Sequence, residues 1–231
     1  MKKYDIFLVD ADGTVLDFDA SSVLSLKSAL AAFGEEWTEE YGNKFFSFND
    51  SLWERLERKE LTREKLHEMR FPLYLSMLGF NHLSGEEFNK RYLDGLSKLP
   101  VYIDGAEAFL KALKKAGRVY IVTNGTEWIQ NSRFALLGLN ELVDGVFISQ
   151  AVGADKPSPV YTKYVLSHIE DFDSSRAVWI GDSLSADIRA ANEAKIDSVW
   201  YNPKEKEEKE GFFADFKAKN FREILKFLKI D

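Results

Sequence analysis

Ile6-Phe7-Leu8-Val9-Asp10-Ala11-Asp12-Gly13-Thr14 reads as a short buried strand running into a loop that carries two carboxylates and a hydroxyl. The four apolar residues do not alternate with polar ones, which is the pattern of a strand covered on both faces, as in a parallel sheet. Runs at 119–122, 146–148, 177–180 and 198–201 share that character, rich in Val, Ile and aromatics. Helical patterns lie between these later runs. Asp104 is expected to start one as its N-cap, with Glu107 three residues on as the capping-box partner and Gly117 past its end. Ser158-Pro159 is expected to start another, as N-cap and first-turn proline. Alternation of this kind predicts an α/β fold, a doubly wound parallel-sheet (Rossmann-like) core.

The stretch between the first two runs is different. It shows helical periodicity and no convincing strand, with helices expected at 22–33, 39–59, 63–78 and 86–96. Thr38, Thr62 and Ser84 are plausible N-caps, and Glu87 follows Ser84 at capping-box distance. A segment this long exceeds a simple crossover. The domain reading is therefore a core of 1–16 with 100–231 and an inserted α-helical cap domain at 17–99. The mixed-sign charge run at 204–210 reads as a solvated loop.

Bulk properties narrow the partners. The chain has 231 residues, 45% hydrophobic and 30% charged, with a net charge of −7. That balance argues against capture of nucleic-acid polymer or an anionic membrane, both of which need a basic face. A small anionic substrate is still allowed, because a local site can be positive on an acidic protein. With no cysteine, disulfides, thiolate catalysis and Cys-ligated zinc are excluded. Met1-Lys2-Lys3-Tyr4 has the charge of a signal peptide, but the apolar run behind it stops at Asp10 and is too short for one. No apolar stretch approaches the ~20 residues of a membrane span. The expectation is an unprocessed cytoplasmic protein; its oligomeric state is open.

Ligands in open α/β sheets bind beyond the carboxyl ends of the strands. Asp10, Asp12 and Thr14 follow the first run, and Thr123-Asn124-Gly125 the second. Lys156-Pro157 comes after the third, and Gly181-Asp182-Ser183 with Asp187 after the fourth. Converging carboxylates repel and raise one another's pKa, and a hard cation relieves this. The residues suit Mg²⁺ held by Asp10, Asp182 and the Asp12 main-chain carbonyl, with Asp187 supporting from behind. Asp10 would attack phosphorus and Asp12 would act as general acid and then base. Thr123 would offer a hydroxyl and Asn124 and Gly125 main-chain N–H groups to the phosphoryl oxygens, with Lys156 neutralising their charge.

These motifs resemble, in order and spacing, the four motifs of the haloacid dehalogenase (HAD) superfamily. An Asp at the Asp12 position resembles its phosphatases and phosphomutases rather than its dehalogenases. The insert resembles a cap placed after the first motif, whose closure would exclude water. A narrower resemblance is to the YjjG-type pyrimidine 5′-nucleotidases. It is carried by Leu16-Asp17-Phe18-Asp19-Ala20, Asn49-Asp50-Ser51-Leu52-Trp53, Leu61-Thr62-Arg63-Glu64, Arg70-Phe71, Gln130, Arg133 and Trp200-Tyr201-Asn202-Pro203. Gly13 stands where that narrower family often has a second Asp, and Lys195 where a Gly is usual. The resemblance implies a nucleoside monophosphate as the small phosphorylated substrate.

Blander readings stand beside these. Asp10 or Asp12 alone would be a turn or N-cap residue. Trp53 and Phe71 sit on helical patterns where aromatics are mostly core. Arg133 falls in the helix after Thr123, where it would make surface or intramolecular pairs. Phe18, just past the first motif, is a candidate contact for base or sugar. None of the three histidines has metal-ligand spacing. A sugar-phosphate phosphatase, a phosphomutase and a noncatalytic phosphate-binding module remain alternatives.

Overall fold

A computed structural model describes residues 4–58, 60–208 and 210–230. The charged start at 1–3, the expected helix end at Lys59, and Lys209 of the charge run lie outside those residues. The chain divides into two compact units, Met1–Asp17 with Val101–Asp231, and Phe18–Pro100.

The first unit holds the strands β1 (Ile6–Val9), β2 (Arg118–Thr123), β3 (Gly145–Ile148), β4 (Ala177–Gly181), β5 (Asp197–Tyr201) and β6 (Phe216–Ala218). They form one sheet in the order β3-β2-β1-β4-β5-β6, with every pair parallel. The helices of the second unit come first in the chain: α1 (Phe18–Ala32), α2 (Glu39–Glu57), α3 (Arg63–Met77) and α4 (Gly85–Lys98). Back in the first unit follow α5 (Ala106–Ala116), α6 (Glu127–Leu136), α7 (Ser149–Val152), α8 (Pro159–Ser167), α9 (Arg189–Ala194) and α10 (Phe221–Leu228). Among the described residues, no helix is long and apolar enough to cross a membrane.

Both faces of the sheet are covered, which is why its strands read as unbroken apolar runs. Side chains alternate along β1. Phe7 and Val9 pack with Phe109 and Leu113 of α5 and Ile224 and Leu228 of α10. Ile6 and Leu8 face the other way, with Tyr161 and Val165 of α8 and Ala190 and Ala191 of α9. β1 is thus fully buried at the centre of the sheet. From it the chain moves outward through β2 and β3, then returns to its other side as β4. That makes the β1/β4 boundary a topological switch point, where such sheets bind ligands.

Several local expectations need correction. Helix α5 does not start at Asp104. Its N-cap is Gly105, at φ 80°, a left-handed conformation glycine adopts without strain, and Glu107 pairs with Lys111 instead of closing a capping box. Thr38 holds its N-cap position without a side-chain bond. Thr62 and Ser84 do cap, accepting from Lys65 N at 3.2 Å and Glu87 N at 3.3 Å. Helix α1 begins at Phe18, ahead of the expected Ser22, whose hydroxyl is buried against the Tyr92 hydroxyl at 3.0 Å. Phe71 belongs to the core of the second unit, its ring 5.8 Å from Phe45 and 4.9 Å from Tyr92. The edge strand β6 was not anticipated.

Lys195 closes α9 at φ 56°, ψ 41°. Its N–H bonds to Asn192 O at 3.1 Å, and the next N–H to Ala191 O at 3.0 Å. This left-handed helix end is where glycine is favoured, and a residue with a Cβ is strained there by about 1 kcal/mol. Lys195→Gly should therefore raise stability by about 1 kcal/mol, read as a higher urea midpoint. A lower midpoint would show that the lysine side chain contributes more than the strain it introduces.

Candidate active site

Asp10, the residue after β1, is 5% exposed. Its Oδ1 accepts from Lys156 Nζ at 2.6 Å and its Oδ2 from the Thr14 hydroxyl at 3.2 Å. Lys156, also buried, reaches a second carboxylate, Asp187 Oδ1, at 2.6 Å and the Val122 carbonyl at 2.8 Å. All three ammonium protons thus have acceptors. The lysine is held from behind by Asn124, whose side chain accepts from Lys156 N at 2.7 Å and donates to Lys156 O at 3.0 Å. The peptide bond from Lys156 to Pro157 is cis.

Two glycines make room for the acidic side chains. A Cβ on Gly181, the last residue of β4, would fall 2.2 Å from Asp187 Cγ. One on Gly13, at φ 84°, would fall 2.7 Å from Asp182 Oδ2. The second Asp common at position 13 in the narrower family would here be strained and driven onto another carboxylate. Asp182 is fixed by Trp200 Nε1, which donates to its carbonyl at 2.9 Å. Asp187 accepts from Trp179 Nε1 at 3.3 Å and Ser183 N at 3.2 Å.

Asp10, Asp182 and Asp187 each offer a carboxylate oxygen within 4.8 Å of the others. Burial pushes the Asp10 carboxyl well up; Lys156 opposes this, and Asp187 and Asp182 add to it. Burial and then Asp187 push Asp182 up to about 7. Burial alone would lower the Lys156 ammonium, but Asp10 and Asp187 hold it above the ordinary lysine value. Three crowded oxygen donors, with the Asp10 and Asp182 carboxyls driven upward, fit a hard divalent cation such as Mg²⁺.

Asp12 stands apart from that cluster. Its carboxylate meets Arg133, with Nη2 2.7 Å from Oδ1 and Nη1 donating to Oδ2 at 3.0 Å. Gln130 Nε2 also donates to Oδ2, at 2.9 Å. The Asp12 side chain is therefore engaged away from the acidic cluster; the metal role read from the sequence was given to its main-chain carbonyl, not to this carboxylate. Arg133 does make an intramolecular pair, but a buried one, 1% exposed. Sequence reasoning used Gln130 and Arg133 for the family resemblance but gave neither a role in the site. Their spacing of three residues, one face of a helix, was the available signal.

Thr123 ends β2, 1% exposed, and accepts from Gln130 Nε2 at 3.2 Å. The Gly125 N–H, expected to face a phosphoryl oxygen, instead donates to the Ser149 hydroxyl at 3.2 Å. Gly125 serves by its lack of a side chain, since a Cβ there would lie 2.8 Å from Gln130 Cγ. The charge run at 204–210 brings Lys206 to the site. Lys206 Nζ lies 3.7 Å from Asp182 Oδ2, in a loop that Asn202 ties back by accepting from Lys206 N at 2.8 Å. Phe18 is the first residue of the second unit, half-buried at the start of α1.

Residues 4–195 match the family described as haloacid dehalogenase-like hydrolase. HAD-hydrolase YfnB of Bacillus subtilis is 30% identical over 231 residues, 100% of this chain and 98% of that protein. Its crystal structure, described as bound to magnesium and revealing interdomain movement, superposes with a TM-score of 0.94 over 99% of this chain and 100% of the other. Pyrimidine 5′-nucleotidase PynA of Streptococcus pneumoniae is 33% identical over 87% of this chain and 84% of its own length. Pyrimidine 5′-nucleotidase YjjG of Escherichia coli is 25% identical over 98% of each. With its family match spanning the core motifs and its fold shared end to end with YfnB, this chain belongs to the haloacid dehalogenase-like hydrolases.

Proposed function

We propose that this protein is a Mg²⁺-dependent phosphomonoesterase that works through an aspartyl-phosphate on Asp10, with nucleoside 5′-monophosphates as its substrates. The observation that carries the reading is the division of labour between two neighbouring carboxylates. Asp10 is buried against Lys156 at 2.6 Å, with Asp182 and Asp187 close by. Asp12, two residues on, is kept separate by Arg133 and Gln130. Binding a phosphate needs no second carboxylate on that rim; breaking its ester and then consuming a water does.

Asp10, Asp182 and the Asp12 carbonyl would hold the cation, with Asp187 behind them. When bound, it supplies positive charge that screens Asp10 from an incoming phosphate. The Asp10 carboxylate attacks phosphorus as the bond to the ester oxygen breaks, and Asp12 delivers a proton to that oxygen. In the second half Asp12 takes a proton from water, which attacks the same phosphorus and frees Asp10 and inorganic phosphate. Thr123 donates to a phosphoryl oxygen, and Lys156 offsets charge that builds in both transition states. Phe18 is assigned to the base or sugar. Nucleotide specificity is supported by the names of PynA and YjjG, and magnesium by the bound ion in YfnB.

A phosphate-release screen over pyrimidine and purine nucleoside monophosphates and sugar phosphates tests this. Release from pyrimidine monophosphates is expected, stopped by EDTA and restored by Mg²⁺. Activity confined to sugar phosphates would defeat the nucleotide assignment. Indifference to EDTA would remove the metal, and silence on every monoester would remove the phosphatase.

A further inference from the structure

Four side chains from separate parts of the core unit form one closed network. Gln130 and Arg133 lie on α6, both 2% exposed or less. Arg133 Nη1 donates to Gln130 Oε1 at 2.8 Å. Gln130 Nε2 then donates in two directions, to Asp12 Oδ2 at 2.9 Å and to the Thr123 hydroxyl at 3.2 Å. Arg133 Nη1 reaches Asp12 Oδ2 as well, and Nη2 approaches Oδ1.

Chemistry permits one assignment of this network. A guanidinium only donates, so the Gln130 amide must turn its oxygen to Arg133, which leaves its nitrogen facing Asp12 Oδ2 as the acceptor. The second amide proton is thereby aimed at Thr123. Because that hydroxyl accepts from Gln130, its own proton is left to be donated elsewhere. An apolar pair of equal volume would tether α6 to the loop after β1 without desolvating a guanidinium. The polar network adds orientation of the two groups at its ends, the Asp12 carboxylate and the Thr123 hydroxyl. Asp12 itself keeps 25% of its side chain exposed, so the network holds it without sealing it off.

We propose that Gln130 and Arg133 are positioning residues that fix the Asp12 carboxylate for both of its proton transfers and, through Gln130, set the Thr123 hydroxyl as a donor to the phosphoryl group. This inference rests on the phosphatase reading above. Asp12 gives a proton to the departing ester oxygen and takes one from the attacking water. Both transfers need one carboxyl group within hydrogen-bond reach of nearly the same point, and a displacement of about 1 Å there can cost about 10²-fold in rate.

The test compares two esters in Gln130→Met, Arg133→Met and Arg133→Lys, each checked for folding by circular dichroism. Uridine departs from its 5′-monophosphate as an alkoxide that must be protonated; 4-nitrophenolate leaves without help. On the nucleotide, kcat should fall about 10²-fold in the two Met variants. On 4-nitrophenyl phosphate, stopped-flow of Arg133→Met should show a retained burst approaching one nitrophenolate per site, then slow turnover, because water activation by Asp12 is impaired while its first proton transfer is not needed; in Gln130→Met the burst should keep its amplitude but rise more slowly, because the Thr123 hydroxyl has also lost its orientation. Arg133→Lys should recover part of the loss, since lysine keeps the charge without the fork. If Arg133→Met does not fold, Gln130→Met carries the same comparison with the ion pair intact. Nucleotide kcat within about threefold of the parent, or equal loss of nucleotide turnover and of the nitrophenolate burst, overturns the proposal. An inactive parent protein would overturn the phosphatase reading and this inference with it; an active parent with unaffected variants overturns this inference alone.

Discussion

Asp10→Asn should reduce phosphate release by about 10³-fold or more while leaving the fold in place, since an amide is not a competent nucleophile towards phosphorus. The substitution is isosteric, and each of its contacts has a replacement. The amide oxygen can still accept from Lys156, which also keeps Asp187 at 2.6 Å and the Val122 carbonyl at 2.8 Å. The amide nitrogen would face the Thr14 hydroxyl, which can accept as readily as it donates. The sign of the stability change follows from the raised Asp10 carboxyl. A carboxyl whose folded pKa lies above its unfolded value stabilises the fold below the unfolded pKa, and that contribution is lost as pH rises through the folded one. At neutral pH the ionised form is therefore a burden on the metal-free fold, and a neutral amide should not lower the melting temperature. Melting curves and a phosphate assay on one preparation check both halves. Substantial residual turnover in a folded variant would sink the nucleophile assignment.

The reason Asp10 could be found at all lies in how the sheet writes itself into sequence. β1, β2 and β4 are covered on both faces, so each appears as an apolar run, and each run ends where a polar site residue begins. Asp10, Thr123 and Asp182 are legible because they lie one or two steps past such a run. The edge strand β6 is three residues with an exposed lysine in the middle, too short and too polar to announce itself. Gln130 and Arg133 were hidden for another reason. They meet Asp12 across 118 and 121 residues of chain, and only the rotation of α6 about its axis decides whether they face the site or solvent. Lys206 was hidden by its neighbours, because a cation inside a mixed-sign run reads as solvated whether or not it reaches Asp182. Chemistry at strand ends was legible; chemistry that depends on helix phase or on a folded-back loop was not.

Lys156→Met should be the most damaging single change to the core, lowering stability by about 3–5 kcal/mol in EDTA and turnover by about 10²–10³-fold. Methionine matches the length of the lysine stem but removes the donors that hold Asp10, Asp187 and the Val122 carbonyl. Two buried carboxylates are then left facing each other with Asp182 close by. Such groups relieve the repulsion by taking up protons, so the already raised Asp10 carboxyl should rise further. The pH dependence follows with a definite sign. The variant's deficit should be smallest below about pH 4, where unfolded carboxyls are also protonated, and should grow as pH rises and the buried pair is forced to ionise. Cation binding acts on the same excess charge. Mg²⁺ should therefore raise the melting temperature of Lys156→Met more than that of the parent, recovering stability without recovering turnover, because the ion cannot replace the ammonium group proposed to offset transition-state charge beside Asp10. Thermal melts at acid and alkaline pH, with and without Mg²⁺, read these effects separately. A deficit independent of both pH and Mg²⁺ would mean that Lys156 stabilises the core by packing alone, and that Asp10, Asp182 and Asp187 do not act as one charged site.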